Sequence, residues 1–195
     1  MELVFATHNE NKVREIASAL PEGIVVKSLA SIGITEPIAE PFDTIEENSA
    51  TKAQFIFDNY KLDCFSEDTG LIVPSLNGEP GVYSARYAGE NANAADNMAK
   101  LLHQLNGVAD RDAHFKTVIT LMRDGKQHQF TGICEGTIIS EARGEAGFGY
   151  DPIFVPKGSD KTFAQMPMAE KNLFSHRKKA LSLLLDFLNT EDRDY

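Results

Sequence analysis

The sequence predicts a mixed α/β fold, and three stretches of its 195 residues carry that prediction. Residues 3–20 show the pattern of a short apolar strand, a polar loop and an amphipathic helix. An alternating segment turns back at Asp124-Gly125, which is a strong signal for an antiparallel hairpin. Residues 63–71 place two carboxylates between apolar runs. Helical crossovers together with a hairpin favour a sheet of mixed direction flanked by helices.

Helix signals punctuate the chain. Asn9 can cap the first helix, and Thr44-Ile-Glu-Glu47 has the form of a capping box that opens a second helix. Lys52 falls outside the apolar stripe of that second helix, which favours a solvated lysine. The last helix follows Ser175. No repeat, low-complexity segment or linker interrupts these elements, so we expect a single domain over residues 1–195.

Composition narrows the function. The net charge of −10 weakens a general nucleic-acid binder, because phosphate backbones require a basic surface. The N-terminal stretch turns polar by Thr7, so we expect no signal peptide, and no apolar run approaches the roughly 20 residues that span a bilayer. Cys64 and Cys134 match no metal-binding spacing, which predicts reduced core thiols. These features predict a cytoplasmic protein without a nucleic-acid or membrane partner.

Glu67 and Asp68 are the first candidates for chemistry. The apolar runs on either side predict a short buried strand that breaks at Glu67-Asp-Thr-Gly70, and strand ends in α/β proteins often carry functional groups. Two neighbouring carboxylates could hold a hard cation such as Mg²⁺, and one of them could take a proton from a bound water. The alternative is a plain acidic turn that closes the strand.

Two further stretches suit a phosphate or a flat ring. Thr7-His-Asn-Glu-Asn-Lys12 lies at a helix N-terminus, which attracts anions, although an ordinary capped helix would show the same residues. Residues 144–154 contain closely spaced glycines, and Phe148 and Tyr150 offer flat faces to a nucleobase. The proline that follows Asp151 predicts an extended backbone there. A bulged strand beside a packed aromatic is the structural alternative.

The last helix begins with four basic or ionisable side chains, which are His176, Arg177, Lys178 and Lys179. The helix dipole disfavours cations at this end, so the cluster predicts an anionic partner. A screened surface cluster is the alternative.

In this combination, the motifs resemble the inosine triphosphate pyrophosphatase family, the Ham1-like or RdgB-like nucleotidases. The resemblance runs from Val4 to about Leu188. Each motif alone is weak, whereas six in order at matching spacing are very specific. They are Thr7-x-Asn9-x-x-Lys12, Glu47-Asn48 with Lys52, Ser66-Glu-Asp-Thr-Gly70, Gly81-Val-Tyr-Ser-Ala-Arg-Tyr87, Gly147-Phe-Gly-Tyr-Asp-Pro-Ile-Phe154 and Ser175-His-Arg177.

The resemblance implies an elongated mixed α/β fold with two lobes around a long central mixed sheet, and an active-site cleft between the lobes. It implies a homodimer and Mg²⁺-dependent cleavage of purine nucleoside triphosphates that carry a 6-keto group. These substrates, ITP, dITP and XTP, become the monophosphate and pyrophosphate.

By the same resemblance, Asp68 is the proton acceptor and a metal ligand, Glu40 is the second metal carboxylate, and Glu67 is a candidate third. The substrate-binding positions are Thr7, His8, Asn9, Glu10, Asn11, Lys12, Lys52, Thr69, Phe148, Gly149, Tyr150, Asp151, Lys171, His176 and Arg177. Among these, residues 148–151 and His176 fall in the base pocket. The chain departs from the family at His8, where relatives often have a small residue, and at Glu67, where some have aspartate.

Two other functions are alternatives to this interpretation. A Maf-type hydrolase of modified nucleotides has a similar fold, but the complete Ser175-His-Arg177 and Phe148-Gly-Tyr-Asp151 motifs argue against it. A sensor that binds a nucleotide without turnover predicts a lost catalytic carboxylate, whereas Asp68 is present. The sequence therefore favours a pyrophosphatase of non-canonical purine nucleotides.

Overall fold

The computed structural model describes residues 2–191, which form seven strands and five α-helices. The strands are β1 (Glu2–Phe5), β2 (Val25–Ser28), β3 (Cys64–Ile72), β4 (Pro80–Gly81), β5 (Asp112–Arg123), β6 (Lys126–Ile138) and β7 (Phe154–Pro156). The α-helices are α1 (Glu10–Ala19), α2 (Ile45–Tyr60), α3 (Ala94–Gln104), α4 (Met168–Phe174) and α5 (His176–Glu191). The predicted mixed α/β class is confirmed.

The sheet combines parallel and antiparallel pairs. Its strand order is β2-β1-β3-β5-β6-β7, and β4 pairs with β3. Strand β1 lies parallel to β2 and β3, with Phe5 opposite both Ser28 and Phe65. Strand β4 is antiparallel to β3, and β7 is antiparallel to β6. Crossovers through α1 and α2 produce the parallel pairs, because a tight turn can join only antiparallel strands.

The hairpin of β5 and β6 turns where the sequence predicts. Asp124 and Gly125 have φ angles of 51° and 72°, and two consecutive positive φ values are typical of the type I′ turn that matches strand twist. Residues 136–138 form the end of β6.

The predicted break in β3 is wrong. The strand runs without interruption through Glu67 and Asp68, which are only 1% and 7% exposed. Asp-Thr-Gly favours turns locally, but β3 lies between β1 and β5, and pairing with neighbouring strands overrides that preference. The alternative of an exposed acidic turn is excluded by the same burial.

The chain divides into two compact units. Among the described residues, the first comprises residues 2–68, 117–132 and 176–191, and the second comprises residues 69–116 and 133–175. Strands β3, β5 and β6 each contribute residues to both units.

The first unit has an apolar cluster on each face of its strands. Phe5 and Phe65 stack with ring centroids 4.5 Å apart and pack with residues of α1 and α5. Their neighbours Ala6 and Cys64 belong to a second cluster with residues of α2. This division follows from the alternation of side chains along a strand, and it places α2 on one face and α1 with α5 on the other.

The second unit is built around one cluster of aromatic rings. The ring of Phe154 lies 4.7 Å from that of Phe115 and 5.2 Å from that of Phe163. Asp151 opens a 3-10 turn, Asp151–Ile153, so its predicted extended backbone is wrong. Proline is tolerated in the first turn of a helix, because its missing N–H has no partner to lose there.

Both cysteines are buried and neither forms a disulfide, which confirms the predicted core thiols. Burial raises the pKa of Cys64 to about 12, so it stays protonated. Among residues 2–191, no helix is both long and apolar enough to cross a membrane.

Candidate active site

Strand β3 presents its two adjacent carboxylates to opposite faces of the first unit. Asp68 has the same parity as Cys64 and therefore faces α2, whereas Glu67 has the parity of Phe65 and faces α1 and α5. Their hydrogen-bond partners differ accordingly, whereas the charge of Lys12 acts on both carboxylates. The different hydrogen-bond partners disfavour a cation held jointly by Glu67 and Asp68, and that hypothesis stays a prediction.

Lys52 bridges Asp68 and Glu40. Its Nζ donates to Asp68 Oδ1 at 3.2 Å and to Glu40 Oε1. The side chains of Lys52 and Asp68 are 8% and 9% exposed, and that of Glu40 is 31% exposed. The expectation of a solvated lysine is therefore wrong. The buried face of α2 includes polar residues, since Ser49 and Lys52 lie on it beside Ala53.

Burial and charge act in opposite senses on this cluster. Burial raises the pKa of Asp68, because the charged form loses hydration, and the ammonium groups of Lys52 and Lys12 oppose that rise. Burial by itself lowers the pKa of Lys52, but the charges of Asp68 and Glu40 outweigh it and raise that pKa. Lys52 is thus a persistent cation beside a carboxylate of increased proton affinity, which suits a general base.

A buried hydroxyl network fixes α2 against the strands of the first unit. Ser49 Oγ lies 3.1 Å from Ser66 Oγ and 2.8 Å from Thr120 Oγ1, and Ser66 Oγ donates to the carbonyl oxygen of Ser49 at 2.6 Å. Ser49 precedes Lys52 by one helical turn, and Ser66 precedes Asp68 by two strand residues. The network therefore sets where the ammonium and the carboxylate meet.

Glu67 binds two cations on the other face. Arg177 Nε and Nη2 donate to its two carboxylate oxygens at 2.8 and 3.2 Å, and Lys12 Nζ lies 3.4 Å from Oε1. Arg177 Nη1 also donates to Glu15. Burial opposes the charge of Arg177, but Glu67 and Glu15 outweigh it and raise its pKa. The predicted anionic partner of the basic helix start is confirmed for Arg177, and it is a pair of carboxylates of the protein.

The loop before α1 is organised by its cap. Asn9 Oδ1 accepts hydrogen bonds from the backbone N–H groups of Asn11 and Lys12 at 3.0 and 3.3 Å, which confirms Asn9 as the N-cap. Thr7 Oγ1 accepts from the Asn9 N–H at 3.1 Å. An anion at this end would therefore meet N–H groups that already have a side-chain acceptor.

The other residues predicted at the two helix starts differ in exposure. His8 and Glu10 are exposed, and His8 Nε2 lies 2.9 Å from the carbonyl oxygen of Glu36. His176 opens α5 and is only 3% exposed. Its backbone packs directly on Gly132, where a Cβ atom would collide with the His176 carbonyl group.

In the second unit, Asp151 and Lys171 form a buried ion pair. Lys171 Nζ lies 2.7 Å from Asp151 Oδ2, and the two side chains are 4% and 5% exposed. Asp151 Oδ2 also accepts from the Phe148 N–H at 2.9 Å, and Lys171 Nζ lies 5.5 Å from the centre of the Phe148 ring. Gly147 has a φ of 76°, and a Cβ there would collide with the Asp151 carboxylate. The loop thus holds Phe148 half-buried over a fixed ion pair.

Among the other predicted residues of the second unit, Tyr150 is less accessible to a ligand than Phe148. Tyr150 is 4% exposed, belongs to the apolar cluster and donates to the carbonyl oxygen of Ser84 at 2.8 Å. Burial raises its pKa. Gly149, with a φ of 62°, and Thr69 are half-buried. Phe148 is therefore the better stacking face of the two aromatic residues.

Glu40 and Asp68 fit a hard cation. One oxygen of each converges on a single positive centre, the Lys52 ammonium group, and carboxylate oxygens are the ligands that Mg²⁺ takes while it keeps several waters. Within the described part of the chain, no group of three or more His, Cys, Asp or Glu side chains is placed to hold a metal ion. An ion here would complete its shell with water or phosphate oxygens.

Several residues of these clusters escaped sequence reasoning, namely Glu15, Ser49 and Thr120. A signal existed in α2, where Ser49, Lys52, Ala53 and Ile56 follow the helical spacing of one face. The buried face of α2 was predicted from its apolar residues alone, and that prediction left out Ser49 and Lys52. Glu15 had no comparable signal, because its partner Arg177 is 162 residues away in sequence.

Comparisons with known proteins show the family of this chain. The model of the Ham1 family matches residues 3–187. The chain belongs to the Ham1 family. It is 55% identical to the dITP/XTP pyrophosphatase of Flavobacterium johnsoniae, over 96% of this chain and 98% of that one. It is 53% identical to the enzyme of the same name from Christiangramia forsetii, over 97% and 100%.

Solved structures give the same result. The Ham1 protein of Staphylococcus aureus matches with a TM-score of 0.88 and 38% identity, over 98% of this chain and 100% of that one. A nucleoside-triphosphatase/dITP/XTP pyrophosphatase from Mycobacterium abscessus matches with a TM-score of 0.76 and 36% identity, over 95% and 99%. The resemblance inferred from the six motifs is confirmed.

Removing the bridging ammonium group should raise the pKa of Asp68 further. Lys52 lowers that pKa, so Lys52→Met should shift the carboxyl titration of Asp68, followed by carbon-13 NMR, to higher pH. The pKa of Asp68 in the folded variant then lies further above the ordinary carboxyl value. The free energy of unfolding of Lys52→Met should therefore fall as pH rises from the ordinary value to the raised one. Lys126→Met, which removes an exposed lysine, should leave the titration unchanged, and an unchanged titration in Lys52→Met would contradict the coupling.

Breaking the buried pair of the second unit should cost far more stability than breaking an exposed one. Lys171→Met leaves the Asp151 carboxylate buried without its ammonium partner, which should lower the free energy of unfolding by about 3–5 kcal/mol in urea titrations. The matched control is Lys157→Met, whose ion pair with Glu135 is exposed and should contribute little. Equal effects of the two substitutions would contradict the structural role of the buried pair.

Proposed function

We propose that this chain is a Mg²⁺-dependent pyrophosphatase that converts dITP, XTP and ITP to the nucleoside monophosphate and pyrophosphate. The observation that carries the proposal is the buried cluster in which Lys52 joins Asp68 to Glu40. Relatives that carry the name dITP/XTP pyrophosphatase across nearly their whole length support the reaction and the substrate class.

Glu40 and Asp68 hold the metal in this proposal. When bound, Mg²⁺ supplies positive charge to the phosphate oxygens and acidity to a coordinated water. Glu67 is not included, because it faces the other side of β3 and binds Arg177. This narrows the ligand set suggested by the sequence to two carboxylates.

Asp68 accepts the proton of the attacking water. The water oxygen forms a bond to the α-phosphorus, the bond from that phosphorus to the bridging oxygen breaks, and the electron pair leaves with pyrophosphate. The proton passes to a carboxylate whose pKa burial has raised, which favours proton acceptance at that oxygen. Lys52 stays charged and holds the carboxylate in place throughout.

The first unit supplies the cations and polar groups proposed for the triphosphate. Lys12 and Lys52 lie beside the two carboxylates of β3, and residues 7–11 form the loop at the start of α1. Arg177 contributes through Glu67, which it orients together with Lys12, as well as through its own charge. Thr69 and Lys171, which belong to the second unit, are the other phosphate positions that the family resemblance implies.

A 6-keto oxygen accepts hydrogen bonds, whereas the 6-amino group of adenine donates them. A pocket that presents donors, with His176 among them, would reject ATP because mismatched buried polar groups are costly. In the second unit, Phe148 is the stacking face, and Gly149, Tyr150 and Asp151 shape the loop that carries it. We further propose that the protein is cytoplasmic and folds as one domain, and that it forms a homodimer, as the resemblance implies.

Product analysis of the purified protein tests this function. With Mg²⁺, dITP, ITP and XTP should give monophosphate and pyrophosphate, whereas ATP and GTP should remain nearly unchanged. Asp68→Asn should lower turnover by about two to four orders of magnitude, because it removes the proton acceptor, and Asp58→Asn, at an exposed position of α2, should not. Orthophosphate as the product, or equal use of ATP, would contradict the proposal, and turnover of modified pyrimidine nucleotides instead would favour a Maf-type hydrolase. Binding without turnover would favour a nucleotide sensor.

A further inference from the structure

The loop that carries Glu40 is fixed by a buried amide. Asn48, on α2, is 1% exposed and forms two hydrogen bonds to the backbone of Phe42. Its Oδ1 accepts from the Phe42 N–H at 2.9 Å, and its Nδ2 donates to the Phe42 carbonyl oxygen at 2.8 Å. Phe42 itself is 42% exposed, so the clamp holds its backbone while the ring faces solvent.

The clamp on Phe42 is transmitted to Glu40 through Pro41. The proline ring fixes the φ angle of Pro41, and a residue before proline is restricted to extended conformations. Residues 34–41 belong to no helix or strand, so no regular backbone ladder holds Glu40. The position of its Cα atom therefore follows closely from that of Phe42.

Helix α2 restrains both the side chain of Glu40 and the backbone next to it. Asn48 and Lys52 are four residues apart and lie on one face of the helix. Lys52 binds the carboxylate of Glu40, while Asn48 fixes the backbone two residues further along the chain. Asn48 and Lys52, one turn apart on α2, thus together fix the position of the Glu40 carboxylate relative to that of Asp68.

We propose that Asn48 is a positioning residue for the metal-binding carboxylate of Glu40. The inference rests on the proposed function, since it assigns Asn48 a role toward the cation held by Glu40 and Asp68. Groups that orient a metal ligand without touching the metal typically change metal affinity or activity by about 10- to 100-fold.

The chain contains a matched control. Asn97, in the second unit, forms the same type of clamp, accepting from the Ala88 N–H at 2.8 Å and donating to the Ala85 carbonyl oxygen at 3.1 Å. It is 4% exposed, so Asn97→Ala removes an equally buried amide. A loss of stability common to both variants can therefore be separated from an effect on the metal.

The test is a Mn²⁺ titration followed by electron paramagnetic resonance, in the presence of the non-hydrolysable α,β-imido analogue of dITP. Asn48→Ala should weaken Mn²⁺ binding by about ten-fold or more, and Asn97→Ala should leave it unchanged. Asn48→Gln keeps both the acceptor and the donor of the amide but displaces them by one methylene group, so it should fold and show a smaller shift. In steady state, the Mg²⁺ concentration at half-maximal activity should rise in the same order.

Glu40→Gln separates the two proposals. If Asn48 acts through Glu40, then Asn48→Ala should weaken Mn²⁺ binding little further once Glu40 is replaced by glutamine. A large effect of Glu40→Gln with none from either Asn48 variant would overturn the positioning role and leave the proposed function standing. No effect of Glu40→Gln itself would overturn the metal assignment on which both proposals depend.

Discussion

The contact between the Lys52 ammonium group and the carboxylates of Asp68 and Glu40 is the constraint on which the rest of the first unit depends. Transferring Asp68 into the sheet costs hydration free energy, and that cost is offset only if a cation is held beside it in a fixed geometry. Lys52 can reach Asp68 only if α2 lies on this face of β3. The hydroxyl contacts of Ser49 with Ser66 and Thr120 give α2 that position. A charge requirement and a packing requirement are therefore satisfied by the same helix.

The alternation of side chains along β3 gives two adjacent carboxylates different tasks. Asp68 faces α2 and shares a cation with Glu40, whereas Glu67 faces α5 and is neutralised by Arg177 and Lys12. If β3 ended at Glu67, as its sequence suggests, both side chains would reach solvent and neither would be desolvated. Because the strand continues, Asp68 is buried and its pKa is raised, and Glu67 remains paired with Arg177.

Local signals were the part of the fold that could be predicted from sequence. The Asn9 cap and the turn at Asp124-Gly125 were correct, because each depends on residues within a few positions. The continuation of β3 was missed because pairing with β1 and β5 is non-local and overrides the turn preference of Asp-Thr-Gly.

The site divides in the same way. The motifs placed the correct residue types at Asp68, Lys52 and Arg177, but their partners depend on contacts over long separations. Arg177 meets Glu67 across 110 residues, and no spacing rule predicts that pair. The burial of Lys52 was missed because the buried face of α2 was predicted from apolar residues alone, and a charged residue is not counted in such a pattern.

In the proposed reaction, water activated at the Asp68 carboxylate attacks the α-phosphorus. The decisive measurement is hydrolysis of dITP in water enriched in the heavy oxygen isotope, followed by mass spectrometry of both products. The label should appear in the monophosphate and be absent from pyrophosphate, because the new bond forms at the α-phosphorus. Label in pyrophosphate would place the attack on the β-phosphorus and contradict the arrangement proposed around Asp68, Glu40 and Lys52.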